Sequence, residues 1–150
     1  MTVENDILIP EYFEDYLQRN KEVLFTPSGV SMRPFIEGGR DSVIMERVSK
    51  PPRKGDILLA QVTTLCGNRT YVLHRLIRME GETYVLQGDG NLQGEERCLY
   101  GDLIGRVTAI LTPSGKRKPL TRGFLWHALF PLRPFLLKIY RHSWLKWYYK

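Results

Sequence analysis

The sequence has little cysteine, no long apolar run and no acidic residue after Asp102. Its two cysteines, Cys66 and Cys98, are too few for a disulfide framework and lack the close spacing of metal ligands. We therefore expect free thiols and a reducing compartment. No stretch reaches the roughly 18 apolar residues of a membrane-spanning helix, and acids stand near the N-terminus where a secretory signal would be apolar. These absences predict a cytoplasmic protein without the N-terminal membrane anchor of many exported or membrane-bound enzymes.

Positive charge is concentrated at the C-terminal end. Residues 1–113 contain 13 Lys and Arg and all 16 acids, whereas residues 114–150 contain nine Lys and Arg and no acid. The net charge of +6 is therefore a property of the tail. The 150 residues, 43% of them hydrophobic, are enough for one folded domain.

Hydrophobic periodicity predicts a mainly β protein with helical segments at its two ends. Residues 7–24 have the apolar spacing of an amphipathic helix, and Pro10 lies near its first turn, where proline is tolerated. Five segments separated by turn signals then favour strands: DSVIMERV, DILLAQVT, YVLHRLIRME, YVLQG and DLIGRVTAIL. We expect an N-terminal helix within residues 1–24, a β-domain over 25–112 and a basic, aromatic tail over 113–150.

The tail permits more than one interpretation. Residues 124–140 predict a helix interrupted at Pro131 and Pro134, too short to cross a membrane. Aromatic and basic residues around leucines suit the surface of an anionic membrane, but the same pattern fits a helix packed on the β core. No nucleic-acid-binding motif accompanies the charge, so we expect no nucleic-acid partner. We favour peripheral membrane contact through residues 124–150, which contain Trp126, Trp144 and Trp147.

Ser31 and His74 are candidates for nucleophilic chemistry. Ser31 lies in SGVSMRPFIEGGRD, where a turn can expose the hydroxyl and leave backbone N–H groups free for an oxyanion, although any loop has this composition. His74 lies in YVLHRLIRME, where strict alternation puts it on one face with Val72, Leu76 and Arg78. A strand histidine is more often structural, but a rigidly held imidazole is also what a general base requires.

A glycine-rich segment, QGDGNLQGEERCLYGD, follows the histidine strand and contains several acids. One of them could orient the imidazole and stabilise its cation, or together they could form a solvated acidic face. A calcium loop is poorly supported because the D-x-[DN]-x-[DN]-G pattern is absent. The candidate acids are Asp89, Glu95, Glu96 and Asp102.

Several segments in series resemble the superfamily of type I signal peptidases and LexA-type serine peptidases. They are SGVSMRPFIEGGRDSVIM, KGDILLAQV, YVLHRLIRMEGETYVLQGDGN and DLIGRV. Their order matches the Ser-Met-x-Pro box, the Gly-Asp strands, the strand with the general base and the Gly-Asp-x-Asn loop of that superfamily. Each segment is generic, whereas the whole series is specific.

The resemblance implies a serine endopeptidase with a signal-peptidase/LexA-like β-fold. Ser31 is the implied nucleophile. His74 is the implied general base, at a position where most bacterial signal peptidases have lysine and the archaeal and endoplasmic-reticulum branch has histidine. Asp89 or Glu95 would complete the site, with Asp102 a further possibility. The oxyanion or substrate-binding residues would be Gly29, Val30, Met32 and Pro34.

The sequence also departs from that superfamily. Gly29 stands where signal peptidases commonly have an oxyanion-donating serine, so the backbone N–H groups of Val30 and Ser31 would serve, as in the LexA type. Glu95 stands where aspartate is usual. The implied partner is an extended peptide or protein precursor with small residues before the cut, and no cofactor or metal is implied. The alternative is a binding or regulatory module that keeps the fold without turnover.

Overall fold

The computed structural model describes residues 10–142, which form one antiparallel sheet with helices before and after it in the chain. The mainly β prediction with terminal helices is therefore confirmed. Residues 7–9 of the predicted helix, and Trp144 and Trp147, lie outside the described residues. The elements in chain order are α1 (Pro10–Arg19), β1 (Glu22–Phe25), β2 (Ser42–Arg47), β3 (Ile57–Thr63), β4 (Arg69–Glu80), β5 (Thr83–Gln87), β6 (Glu96–Cys98), a 3-10 turn (Tyr100–Asp102), β7 (Leu103–Leu111), β8 (Arg117–Lys118), α2 (Phe124–Ala128), a second 3-10 turn (Phe130–Leu132) and α3 (Arg133–His142).

The sheet places β4 between β3 and β5. Its order is β1-β2-β7-β3-β4-β5-β6, and β8 pairs with β7. In β2, buried residues alternate with half-buried ones, because successive side chains of a strand point to opposite faces. The pairing of β4 with β5 shifts between Leu76 and Arg78, so the strict alternation predicted for this strand breaks at Ile77.

The N-terminal helix is shorter than predicted. It ends at Arg19, where the Asn20 side chain and backbone N–H both donate to the carbonyl of Tyr16. Residues 22–24, expected to be helical, belong to β1 and pair with β2. The prediction was wrong there because Val, Leu and Phe also favour strands, and the exposed edge of β2 supplies hydrogen bonds that a helix pattern cannot reveal. Phe13 and Leu17 of α1 pack on the core beside β1.

A separate part of the core lies under the segment that carries Ser31. Met32 and Ile36 are almost fully buried there. They pack against strand residues Val43, Ile57, Val107 and Ile110. This burial fixes both ends of the turn that follows Ser31, because apolar side chains of this size are costly to expose to water.

The C-terminal segment is interrupted around Pro131, as predicted, but not at Pro134, which lies in the first turn of α3, where proline is tolerated. The segment packs against the loops after β1 and β5. Trp126 Nε1 donates to the carbonyl of Asp89, and Arg133 donates to the carbonyl of Asn91. Burial and nearby Glu37 raise the pKa of Tyr140 to about 12, so its hydroxyl stays protonated and donates to Glu37. Between residues 10 and 142, no helix has the length and apolar character needed to cross a membrane.

Candidate active site

Ser31 lies in a tight turn in which only some of the backbone N–H groups donate hydrogen bonds. Within it, Arg33 N–H donates to the carbonyl of Val30, and Phe35 and Ile36 N–H both donate to that of Met32. The N–H groups of Val30 and Ser31 donate no hydrogen bond to any residue that the structure describes. Unpaired N–H groups beside a serine hydroxyl are the donors that an oxyanion site needs.

The loop after β5 fixes the backbone of Ser31. Gly90 N–H donates to the carbonyl of Ser31 over 2.8 Å. A Cβ atom on Gly88 would lie 2.4 Å from that same carbonyl oxygen, and one on Gly90 would lie 2.8 Å from the carbonyl oxygen of Val30. Both contacts are too close for any other residue type, so the glycines of LQGDGN permit two loops to meet backbone to backbone.

His74 is held rigidly in the middle of the sheet. It lies opposite Leu58 in β3, and only 5% of its surface is exposed. Its Nδ1 lies 2.7 Å from Oε2 of Glu96. A carboxylate accepts hydrogen bonds, so Nδ1 carries the proton of the neutral ring and Nε2 keeps its lone pair. This is the tautomer that can accept a proton at Nε2.

Ser31 and His74 line the same cavity, which has a volume of about 140 Å³. Ser28, Gly29 and Met32 line it from the turn, together with residues 71–74 of β4. Among residues 10–142, neither Ser31 Oγ nor His74 Nε2 makes a hydrogen bond. Catalytic hydrogen bonds are commonly long in free enzymes and tighten when substrate binds. The cavity therefore joins an unpaired hydroxyl and an unpaired imidazole nitrogen.

Asp89 does not orient His74, contrary to the prediction. Both carboxylate oxygens accept hydrogen bonds from Arg75, at 2.7 to 3.1 Å, and both side chains are buried. Arg75 neighbours His74 in the strand and therefore points to the opposite face of the sheet. Asp89 therefore lies on the face opposite to His74, where it pairs with Arg75 and holds the loop in place instead of orienting the imidazole.

Glu95 and Asp102 are also wrong as partners of His74. Glu95 accepts two hydrogen bonds from Arg78 at the surface, and these bonds hold the pKa of its carboxyl below the usual range. Asp102 accepts from the backbone N–H of Leu99 and caps a 3-10 turn. Both acids thus have partners away from the cavity.

Two of the predicted binding residues lie outside the cavity that Ser31 and His74 share. Pro34 instead lines a larger apolar cavity of about 300 Å³ beneath the C-terminal helices. The side chain of Val30 is half exposed and does not line the smaller cavity, which leaves its N–H group as its possible contribution. Gly29 and Met32 do line the cavity.

Glu96 is the partner of His74, although Asp89 and Glu95 were the acids predicted for this role. It lies at the start of β6, which pairs with β5 so that Glu96 stands opposite Leu86. Adjacent strand residues point to opposite faces, so only one of Glu95 and Glu96 can reach His74. The buried Cys98, two residues later, marks the inward face. Alternation counted back from Cys98 is the signal that favours Glu96.

No protein-family model, curated protein or solved structure matches this chain. The geometry of the cavity and the order of the sequence segments are therefore the basis for any assignment of function.

Proposed function

We propose that the protein is a serine endopeptidase with a signal-peptidase/LexA-like fold, in which Ser31, His74 and Glu96 act together. One observation carries the proposal. Ser31 and His74 line one cavity, while Glu96 holds the far nitrogen of the same imidazole. A serine hydroxyl is a weak nucleophile until a base takes its proton, and the base must be held in the correct tautomer.

The residues support a two-step acyl transfer. His74 Nε2 takes the hydroxyl proton as Ser31 Oγ attacks the carbonyl carbon of the scissile peptide. The N–H groups of Val30 and Ser31 receive the negative oxygen of the tetrahedral intermediate. The imidazolium, stabilised by the Glu96 carboxylate, gives its proton to the departing amine, leaving an ester on Ser31. Water, deprotonated by His74, then attacks this ester, and the imidazolium returns that proton to Ser31 Oγ as the acid product leaves.

An extended substrate fits beside β4. The pairing of β4 with β5 begins at Arg75, so residues 72–74 lie at a sheet edge on that side. These same residues line the cavity. A peptide added along this edge would form backbone hydrogen bonds and direct alternate side chains toward the protein. The cavity of about 140 Å³ favours a small side chain there.

The cysteines support a reducing, cytoplasmic setting for this activity. Cys66 and Cys98 are both free thiols. Burial, with a contribution from the nearby Asp102 charge, raises the pKa of Cys98 to about 11. Cys98 is therefore a protonated packing residue rather than a competing nucleophile.

A fluorophosphonate probe tests the nucleophile. We expect the probe to label wild-type protein at Ser31 and not to label Ser31→Ala. Ser28 lines the same cavity and provides the matched control. Ser28→Ala should be labelled like wild type. If Ser28→Ala loses labelling and Ser31→Ala keeps it, the nucleophile is Ser28 and the proposed role of Ser31 is wrong.

Glu96→Gln tests the orienting acid. Removing the charge while keeping the shape should slow labelling and turnover by about 10² to 10⁴-fold, because the imidazolium loses its counter-charge and the tautomer is no longer fixed. Glu96→Asp should restore part of the rate. Glu95→Gln is the control, since Glu95 pairs with Arg78 at the surface. Equal rates for both glutamine variants would remove Glu96 from the mechanism.

A binding module without turnover is the second candidate, favoured by the lack of a hydrogen bond between Ser31 and His74 among the described residues. Such a module would bind a precursor peptide equally well as wild type and as Ser31→Ala, and it would leave the peptide uncut. A folded wild-type protein that binds but neither labels nor cleaves would support this candidate over the enzyme.

A further inference from the structure

The C-terminal helices carry a surface of outward-facing apolar side chains. We name it the C-terminal apolar surface, and each of its members is more than half exposed. A helix that packs on a sheet normally directs such residues inward. Single exposed apolar residues are common on protein surfaces, whereas five large ones within twelve positions are unusual. They are Phe124 (53%), Leu125 (75%), Phe130 (55%), Leu132 (54%) and Phe135 (64%).

The inward positions of the same helices are occupied by anchors to the β-domain. Trp126 and Arg133 bind backbone carbonyls of the loop after β5, and Tyr140 binds Glu37. Arg133 and Tyr140 are almost completely buried, as is Leu137. The orientation of the segment is therefore fixed by contacts on one side, and its apolar residues are held outward.

Cations without acidic partners accompany this surface. Lys138 and Arg141 lie in α3 with Phe135, and both are exposed. Neither forms an ion pair within residues 10–142. No acid follows Asp102 anywhere in the sequence. The sequence after the described residues, SWLKWYYK, adds two tryptophans, two tyrosines and two lysines. This composition, in which Phe, Trp and Leu are mixed with Lys and Arg, is typical of a helix that lies in the headgroup region of a membrane.

We propose that the C-terminal apolar surface docks on an anionic lipid bilayer. The apolar side chains enter the boundary between headgroups and acyl chains, and the unpaired cations bind anionic headgroups. Charge complementarity selects this occupant over a second copy of the chain, because a symmetric dimer would bring the same unpaired cations together. Docking is independent of the proposed peptidase activity, since none of these residues lines the cavity of Ser31 and His74.

Co-sedimentation of the full chain with vesicles tests the proposal. We expect binding to vesicles of equal parts phosphatidylcholine and phosphatidylglycerol, and at least tenfold weaker binding to phosphatidylcholine alone. Raising the salt from about 0.05 M to about 0.5 M should weaken the binding, because counter-ions screen the headgroup charge. Lys138→Gln with Arg141→Gln should weaken it by about fivefold for each cation removed.

Matched variants distinguish vesicle binding through the C-terminal apolar surface from non-specific binding of the protein to vesicles. Leu125→Ser with Phe135→Ser should reduce vesicle binding at least tenfold, whereas Leu65→Ser, at an exposed leucine in the turn between β3 and β4, should leave it unchanged. Lys21→Gln with Arg69→Gln is the charge control, at two exposed cations that lie before β1 and at the start of β4. Circular dichroism melting checks that each variant folds.

Three results would overturn the proposal. They are equal binding to neutral and anionic vesicles, unchanged binding by the Leu125 and Phe135 variant, and a wild-type dimer in solution that this variant converts to monomer. The dimer would assign the surface to a second copy of the chain. Probe labelling of Ser31 is measured separately and without vesicles, so failure of docking and failure of the peptidase proposal are distinguishable.

Discussion

Replacing Asp89 with asparagine should destabilise the fold strongly, because Asp89 neutralises a buried arginine. Arg75 is 1% exposed and Asp89 is fully buried, and three hydrogen bonds of 2.7, 2.8 and 3.1 Å join them. Asparagine keeps the shape of the side chain and one acceptor oxygen but removes the negative charge. The guanidinium of Arg75 would remain buried without a counter-charge, which is more costly than the loss of an exposed pair.

The expected loss of stability depends on the contacts that Arg75 keeps in the Asp89→Asn variant. Breaking a buried ion pair by changing one partner costs about 3 to 5 kcal/mol. Arg75 still donates to the carbonyls of Gly55 and Thr121, and its guanidinium stays 5.0 Å from the ring centre of Phe35. We therefore expect the lower end, about 3 kcal/mol in the free energy of unfolding, which in a chain of this size lowers Tm by about 10 °C.

Urea unfolding of wild type, Asp89→Asn and Glu95→Gln measures this difference. The Glu95 variant removes a carboxylate from a surface pair, so its unfolding midpoint should stay close to that of wild type. The refuting result is specific. If Asp89→Asn unfolds within about 1 kcal/mol of wild type yet loses probe labelling, Asp89 acts in catalysis and the structural assignment is wrong.

Two further predictions concern the loop that carries Ser31. Gly88→Ala places a Cβ 2.4 Å from the carbonyl oxygen of Ser31, so it should cost about 1 to 3 kcal/mol of stability and slow labelling at least tenfold. Gly101→Ala, which meets open space, should change neither, and equal labelling of both variants would show that the close contact does not position Ser31. Asp41 is buried. Although burial opposes ionisation, hydrogen bonds from Arg40, the Glu37 backbone and Lys118 hold its pKa below the usual value. Its ionised form therefore stabilises the fold above the pKa of an unfolded aspartate, about 3.9, and this stabilisation disappears as pH falls through the lower folded pKa. The difference in urea midpoint between wild type and Asp41→Asn should shrink from about pH 5 to about pH 2, and a constant difference would contradict the assignment.

The central strands could be predicted because their signal is local. β2, β3, β4, β5 and β7 each combine β-branched or apolar residues with a turn at each end, and all five were located to within two residues. β1, β6 and β8 were missed, since they have four residues or fewer and depend on a neighbouring strand for their hydrogen bonds. Such pairing is a tertiary property that periodicity does not encode.

The sequence predicted the nucleophile and the general base of the candidate site, but not the acid that orients the base. Ser31 and His74 were named from the sequence, and the structure brings them to one cavity. The choice among the acids failed because it followed the positions that the resemblance implied and not the alternation in β6, which places Glu96 on the same face as the buried Cys98. Asp89 was misassigned for a related reason. Asp89 lies within the glycine-rich loop, but its carboxylate pairs with Arg75, whose burial requires a counter-charge.

Cleavage of a natural precursor tests the central claim most directly. Protein N-termini would be compared in cells that carry wild-type protein or Ser31→Ala, and a precursor found in this way would be incubated with purified wild type, Ser31→Ala and His74→Ala. We expect new N-termini only with wild type, and a fall of at least about 10³-fold in the cleavage rate for both variants. Cleavage by Ser31→Ala or His74→Ala at the wild-type rate would contradict the mechanism.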